Sequence, residues 1–250
     1  MTAAVDPPSR QEWLAVAISR LVRDGDRVSV GTNLPAPRAG ALLAKRTHAP
    51  NAVLYLGMAE VRGLPPGPLA LESLAGAAAG AIAHHRLEDF FARANQVDFF
   101  VVGALQIDRH GNTNLLGVGP SGEPLETRYR HRTVIGPGTI GTATMTTYAG
   151  RYALFCPDHQ PRTFVPQLAF RSTCGWGTDG QERTRLDLPG GGPGGCVTDL
   201  GLFGYPAPDR SMALIAPFPG VTFEEIAGRT GFDVARPSKL QEFGRPSPEV

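Results

Sequence analysis

Cysteine is scarce in this chain, and neither sign of charge predominates. The three cysteines in 250 residues, Cys156, Cys174 and Cys196, are odd in number and lack CxxC spacing. Neither a disulfide framework nor a zinc site is indicated, and all three read as plain buried or half-buried thiols. Lys and Arg number 24 against 23 Asp and Glu, a net charge of +1, which makes no field for nucleic acid or a membrane surface. Long apolar runs are missing too: no window reaches the roughly 18 residues of a membrane span. The first residues, MTAAVDPP, have neither the basic start nor the apolar core of a secretory signal. These absences leave a small molecule or another protein as the partner, with a cytoplasmic setting as the expectation.

Glycine (31) and proline (23) are plentiful, but they are spread through turns between apolar runs and form no low-complexity tail. With 42% hydrophobic and 19% charged residues, residues 1–250 have enough material for one large core, and a single domain is expected. Trp13 to Val22 carries the spacing of an amphipathic helix, which Asp24-Gly25-Asp26 stops. Val28 to Thr32 then reads as a strand, Pro37 to Lys45 as a helix, and the Val, Leu and Tyr residues before Gly57 as a second strand. Strand, helix, strand implies a parallel crossover. A third helix is expected over much of Leu71 to Ala94, and Val97 to Gly103 is an almost continuous apolar strand, buried on both faces.

The fold class is therefore α/β, an open and mainly parallel sheet with flanking helices. After Leu105 the pattern predicts a strand-rich second half with no helix for about a hundred residues. Val134 to Gly136, Ala153 to Phe155, Gly201 to Tyr205 and Met212 to Ile215 read as its strands. Thr222 with Glu225 has the spacing of a capping box opening a short helix up to Gly231. Residues 1–8 and 237–250 are expected to wrap a surface or lie loose.

Four segments carry chemistry. Val30-Gly31-Thr32-Asn33-Leu34-Pro35 is a strand end turning into a helix, where backbone N–H groups can meet phosphate or an oxyanion. Val97 to Asn114 contains Asp108-x-x-Gly111-Asn112, a hairpin in which Gly111 can take positive φ. Gly136-Pro137-Gly138-Thr139-Ile140-Gly141 is a glycine-rich turn after a strand, without the spacing of a dinucleotide fingerprint. Gly177 to Asp199 is a Gly- and Pro-rich loop before a strand. Singly, each has an ordinary structural reading.

Together, in this order and spacing, the segments resemble the class I CoA-transferase family, and within it the B subunit of glutaconate CoA-transferase. The likeness runs through Val30 to Pro35, Ala44-Lys45-Arg46 to Ala49-Pro50, Gly103 to Asn114, Gly136 to Thr139 and Glu182 to Gly201, almost the whole chain. It implies an open α/β fold, a homologous alpha subunit in a heterodimer or α2β2 heterotetramer, an active site between the subunits, and an acyl-CoA thioester as substrate with no tightly bound cofactor and no metal. In the family's transferases a glutamate ending the second strand attacks the thioester, giving an acyl-glutamyl anhydride and then a glutamyl-CoA thioester.

Aligned without gaps, that glutamate falls on Gly57. Neither Gly57 nor Met58 offers a nucleophile, and Glu60, three residues on, is expected to face the other way by strand alternation. Backbone donors at Gly31, Thr32, Asn33, Gly136 and Gly138 remain expected to polarise a thioester carbonyl, with Met58 in the acyl pocket and Gly141 and Arg162 toward CoA. Two branches of the family lack the glutamate. One is a hydrolase that opens a ring of a CoA-linked steroid fragment and has glycine at this position. The other is a decarboxylase of a glutaconyl-type CoA ester.

The resemblance therefore points to hydrolytic carbon–carbon cleavage, with a partner-supplied acid or base activating water. Decarboxylation, a transferase using Glu60, and a non-catalytic acyl-CoA-binding scaffold are the alternatives. His84-His85, read as part of a helix, is assigned an exposed or capping role; His110 is read as structural, and Arg171, like Arg162, as an exposed arginine within reach of CoA phosphates or substrate carboxylates.

Overall fold

Two helices start the fold where local chemistry dictates. The computed structural model describes residues 8–64, 81–120, 122–237, 240–241 and 243–244. Helix α1 (Arg10–Ser19) begins at a capping box: the Ser9 hydroxyl accepts from the Glu12 N–H, and the Glu12 carboxylate accepts from the Ser9 N–H. Strand β1 (Arg27–Val30) leads into α2 (Pro35–Arg46), then β2 (Val53–Leu56). The two helices lie so close that a Cβ on Gly40 would sit 2.5 Å from the Ala15 carbonyl oxygen.

A nine-stranded sheet runs in the order β13-β12-β11-β10-β5-β1-β2-β3-β4. Its five central strands, β2, β1, β5 (Phe99–Gly103), β10 (Arg151–Cys156) and β11 (Pro193–Thr198), are parallel. An antiparallel pair closes each side: β3 (Ala59–Val61) and β4 (Ala81–His84) beyond β2, and β12 (Gly201–Gly204) and β13 (Ala213–Pro217) beyond β11. The continuous apolar run of β5 has the expected cause. Phe99 and Val101 pack with Leu14, Ile18, Leu42 and Leu54 under α1 and α2, while Phe100 and Val102 pack with Phe90, Met145 and Leu154 on the opposite face.

The expected third helix is a correction. Residues 71–80 of it lie outside the described residues, Ala81–His84 is strand, and only α3 (Leu87–Ala92) is helical. His84-His85 is therefore not helical. The second half also holds helices the sequence pattern hid: α4 (Leu125–Arg130), α5 (Ile140–Tyr148) and α6 (Glu182–Arg185). Two are four to six residues long, and α5 is rich in threonine, which loses side-chain freedom in a helix. Short strands β6 (Gln106–Ile107) with β7 (Thr113–Asn114), and β8 (Gly117–Val118) with β9 (Val134–Ile135), form two small hairpins. Thr222 caps α7 (Phe223–Gly228) through the Glu225 N–H; the Glu225 carboxylate turns instead to Arg229, so the reciprocal half of the box is unmade. Within the C-terminal segment, Phe243 is only 3% exposed and packs edge-on against Trp13 and Phe218, so this part wraps the surface.

Candidate active site

In open α/β sheets the ligand crevice lies beyond the carboxyl ends of the strands, where the strand order reverses. Here the reversal is at β1, which connects through α2 to β2 on one side and has β5 on the other. Val30 is opposite Leu56 in the parallel ladder, so Gly31 and Gly57 leave their strands at the same level. Gly31 packs closely because a Cβ there would meet the Val101 oxygen at 3.2 Å.

Gly57 and Met58 form the two-residue turn of the β2–β3 hairpin, between the paired Leu56 and Ala59. Gly57 has φ 67°, and Met58 is not among the positive-φ residues. This fits a type II′ turn, whose first central position favours glycine. The turn also corrects the expected direction of Glu60. Alternation along a continuing strand would reverse it, but the chain doubles back, and Glu60 pairs with Tyr55. Cross-strand partners share a face, so Glu60 lies with Tyr55 on the side where Tyr55 and Met58 pack against Phe90 and its neighbours.

Glu60 is 7% exposed. One oxygen accepts from Arg62 Nε and Nη2, both at 2.9 Å, and the other is 3.0 Å from His85 Nε2. Burial pushes its pKa up, but the hydrogen bonds from His85 and Arg62 outweigh it and hold the carboxyl below its ordinary value. His85 is tied to the turn itself, its N–H donating to the Met58 carbonyl at 2.8 Å. The Tyr55 ring meets His85 edge-on at 5.8 Å and Phe90 at 5.6 Å, and Phe90 meets Phe91 at 5.6 Å. Burial first, and then the Glu60 charge, push the Tyr55 phenol up. Phe91 completes the connection to the glycine-rich loop, because a Cβ on Gly141 would lie 2.6 Å from its ring. The sequence reading missed Tyr55, Arg62 and the role of His85; the signal was the two-residue spacing from Ala83, opposite Glu60 on β4, to His85 just beyond the strand's end.

The expected backbone donors divide. Gly31 N–H is used by the Val101 carbonyl, Gly136 N–H by Leu116 and Gly138 N–H by Leu115, so these three are corrections. Thr32 and Asn33 are exposed, and among the described residues no acceptor meets their N–H groups; Asn33 holds φ 57°. Helix α2 adds little, having proline at positions 35 and 37 of its first turn, each without an N–H. The start of α5 has no side-chain cap, leaving the N–H groups of its first turn without one. Gly138, at φ 90°, would meet nothing within 4 Å if it bore a Cβ.

Arg38, in the first turn of α2, was also missed. Its Nε is buried without a hydrogen-bond partner, and no described residue pairs with its guanidinium. Helical side chains lean toward the N-terminus, which here is the Thr32–Asn33 turn. Arg162 is exposed and pairs with Asp158 at 2.6 Å; Arg171 pairs with Glu182 at 2.8 Å. His110 and Asp108 line a separate open cleft of about 780 Å³, together with Arg171, Glu182 and Arg185. None of the residues at 31–33, 57–60 or 136–141 borders that cleft. Among the described residues, no cluster of three or more His, Cys, Asp or Glu could hold a metal ion, and no helix is long and apolar enough to cross a membrane.

Comparison with known proteins gives this geometry its context. The chain is 30% identical to the B subunit of glutaconate CoA-transferase from Acidaminococcus fermentans, over 97% of its length and 89% of that protein's. It is 29% identical to the B subunit of 3-oxoadipate CoA-transferase from Pseudomonas knackmussii, over 96% and 89%. It is 28% identical to the IpdB component of the cholesterol ring-cleaving hydrolase of Mycobacterium tuberculosis, over 90% and 85%. The crystal structure of the Acidaminococcus glutaconate CoA-transferase superposes with a TM-score of 0.80 at 26% identity, covering 97% of this chain and 91% of that one. The AibA/AibB decarboxylase shares the fold, with a TM-score of 0.76 at 24% identity over 96% and 91%. The coenzyme A transferase family model matches residues 11–228, and the chain belongs to that family.

Proposed function

We propose that this chain is the B subunit of a heteromeric enzyme that acts on acyl-CoA thioesters without transferring CoA, by hydrolytic carbon–carbon cleavage. The observation that carries this reading is the carboxylate inventory at the β2–β3 turn. Position 57 has no side chain, and the nearby Glu60 has both oxygens engaged and is held ionised by Arg62 and His85. A nucleophile must present a lone pair to the thioester, and charge-assisted hydrogen bonds lower its reactivity. The transferase alternative through Glu60 is disfavoured on that ground.

Relatives named as B subunits support a homologous partner, and the ring-cleaving hydrolase among them supports hydrolysis. Decarboxylation is the second reading, favoured by the AibA/AibB fold. Acyl-CoA is taken as substrate, not as a resident cofactor, and the enzyme is read as cytoplasmic. The Thr32 and Asn33 N–H groups and the start of α5 supply donors for the thioester oxygen, each such donor being worth roughly 10² to 10³ in rate. Arg38 meets an anionic group of the substrate.

The test is mass spectrometry of the complex, co-expressed with its A subunit, after incubation with acyl-CoA esters and acetate in ¹⁸O-labelled water. Label in the acyl product with CoA retained is expected. Acetyl-CoA appearing with a CoA adduct on this chain would sink the reading, and loss of CO₂ with CoA retained would select the second one.

A further inference from the structure

Apolar side chains left in water gather on one part of this chain. Helix α4 has no buried residue, and both residues of β9 are exposed. Leu125 and Tyr129, 61% and 49% exposed, are four residues apart and share a face of α4. Ile135 is 76% exposed, and its cross-strand partner is Gly117, which has no side chain to shield it. Arg132 joins helix and hairpin into one surface: its stem lies over Gly117, where a Cβ would come within 2.8 Å of Arg132 Cδ, and its guanidinium stacks 3.8 Å from the centre of the Tyr129 ring.

We propose that the surface made by Leu125, Tyr129, Arg132 and Ile135 is where the homologous A subunit docks on this chain. The proposal rests on the heteromeric part of the functional reading and not on the reaction assigned to it.

Three observations point to a protein partner. Four of the nine large apolar side chains exposed among the described residues fall between positions 125 and 135, so the exposure is a patch and not scatter. Neighbouring residues of a strand face opposite ways, so the exposure of both Val134 and Ile135 leaves the β8–β9 hairpin uncovered on both sides. A helix as short as α4 gains little from its own hydrogen bonds in water and normally relies on a buried face, which α4 lacks. The composition fits as well: Tyr and Arg among aliphatic residues are what anchor protein interfaces, inside a polar rim. Glu126 and Arg130, paired with each other at 2.6 Å and both well exposed, stand in that rim.

The occupant follows from what the hairpin carries. Ile135 runs directly into the glycine-rich loop, whose Gly136 and Gly138 N–H groups donate to the Leu116 and Leu115 carbonyls at the foot of the same hairpin. Gly136 has no room for a side chain against the Leu115 carbonyl oxygen. Loop and hairpin are therefore one body, and the start of α5, assigned above to the thioester oxygen, is placed by it. The A subunit is the partner expected at that active site, so its contact with the hairpin beside the loop continues the same interface.

The test uses the full chain in complex with a tagged A subunit. Ile135→Asp removes little packing within this chain and should weaken the hold between the subunits by about 30-fold or more, read as dissociation of the diluted complex by mass photometry; Ile135→Leu should stay close to wild type. Where the aspartate variant does not assemble at all, a crosslink decides. Ile135→p-benzoylphenylalanine, irradiated in the complex, should join this chain to the A subunit. A crosslink to a second copy of this chain would overturn the proposal and assign the surface to contact between copies. No crosslink, with an Ile135→Asp complex as tight as wild type, would overturn it too, and would leave the functional reading standing because the A subunit is still held. A wild-type chain that retains no A subunit would end the heteromeric reading and the proposal together.

Discussion

Two regions of this molecule each place a carboxylate beside a histidine, buried at Glu60 and half-buried at Asp108, and they are built on opposite principles. At the β2–β3 turn, Glu60 takes its hydrogen bonds from the side chains of Arg62 and His85, and the Arg62 side chain is 62% exposed. In the β6–β7 hairpin, Asp108 takes them from the backbone N–H groups of His110 and Asn112 and from Asn112 Nδ2. Asn112 is locked in turn by Gly175 and Gly177. Glu60 is held below its ordinary pKa, whereas burial pushes Asp108 up against those same hydrogen bonds. The histidines differ likewise. His85 is bonded to a carboxylate beside a turn, while the hairpin's His110 has its Nδ1 3.2 Å from the Arg210 carbonyl oxygen; a third histidine, His159, is fully buried, stacked 3.7 Å from Phe164 and fixed between the Thr198 and Thr230 hydroxyls. Polar groups fixed by backbone and by neutral, buried partners hold a fold together; a group fixed by an exposed charged side chain can lose that partner to water without dismantling it.

Substitutions should separate the two designs. Asp108→Ala leaves two backbone N–H groups and an amide without their acceptor, and should cost about 3 kcal/mol of stability, read by chemical unfolding of the complex. Gly57→Ala puts a Cβ on a residue at φ 67° and should cost about 1 to 2 kcal/mol. His159 sharpens the contrast through pH. Burial first, then the Arg229 charge, lower its pKa from 6.5 to about 3. The unfolded chain therefore binds a proton that the folded one refuses; stability is intact above pH 6.5 and falls as the pH drops from there toward 3. The slope from this group should approach about 1.4 kcal/mol per pH unit, and His159→Gln should flatten it. The smallest effect is expected of Glu60→Gln, below about 1 kcal/mol, because Arg62 is free to solvate. A large loss of stability there would erase the distinction between the regions.

Much of this was legible in the sequence where one local rule acted alone. The run Phe99 to Val102 specified a strand covered on both faces, Asp108 to Asn112 specified its hairpin, and Thr222 specified a cap. The readings that failed needed knowledge of where the chain turns. Glu60 was assigned the wrong face because alternation was carried through a residue pair that reverses the strand. Ala81 to His84 read as helix because alanine favours it, yet pairing with β3 decides otherwise. The donors expected at Gly31, Gly136 and Gly138 were sound as residue types, but the sequence does not show that neighbouring carbonyls occupy them. Arg38 gave no sequence signal: Arg128 and Arg132 share its buried, unpartnered Nε, and what sets it apart is a guanidinium with no partner among the described residues.

The left-handed backbone at Gly57 bears on evolution as much as on chemistry. A lineage that places glycine in this turn gains a relaxed hairpin, and any later side chain there must be carried at φ 67°. Installing a nucleophile would thus be opposed by folding before it could be rewarded by catalysis, and would meet a His85 already committed to Glu60. Such a turn resists leaving glycine by a single substitution, whatever that substitution would add to the site.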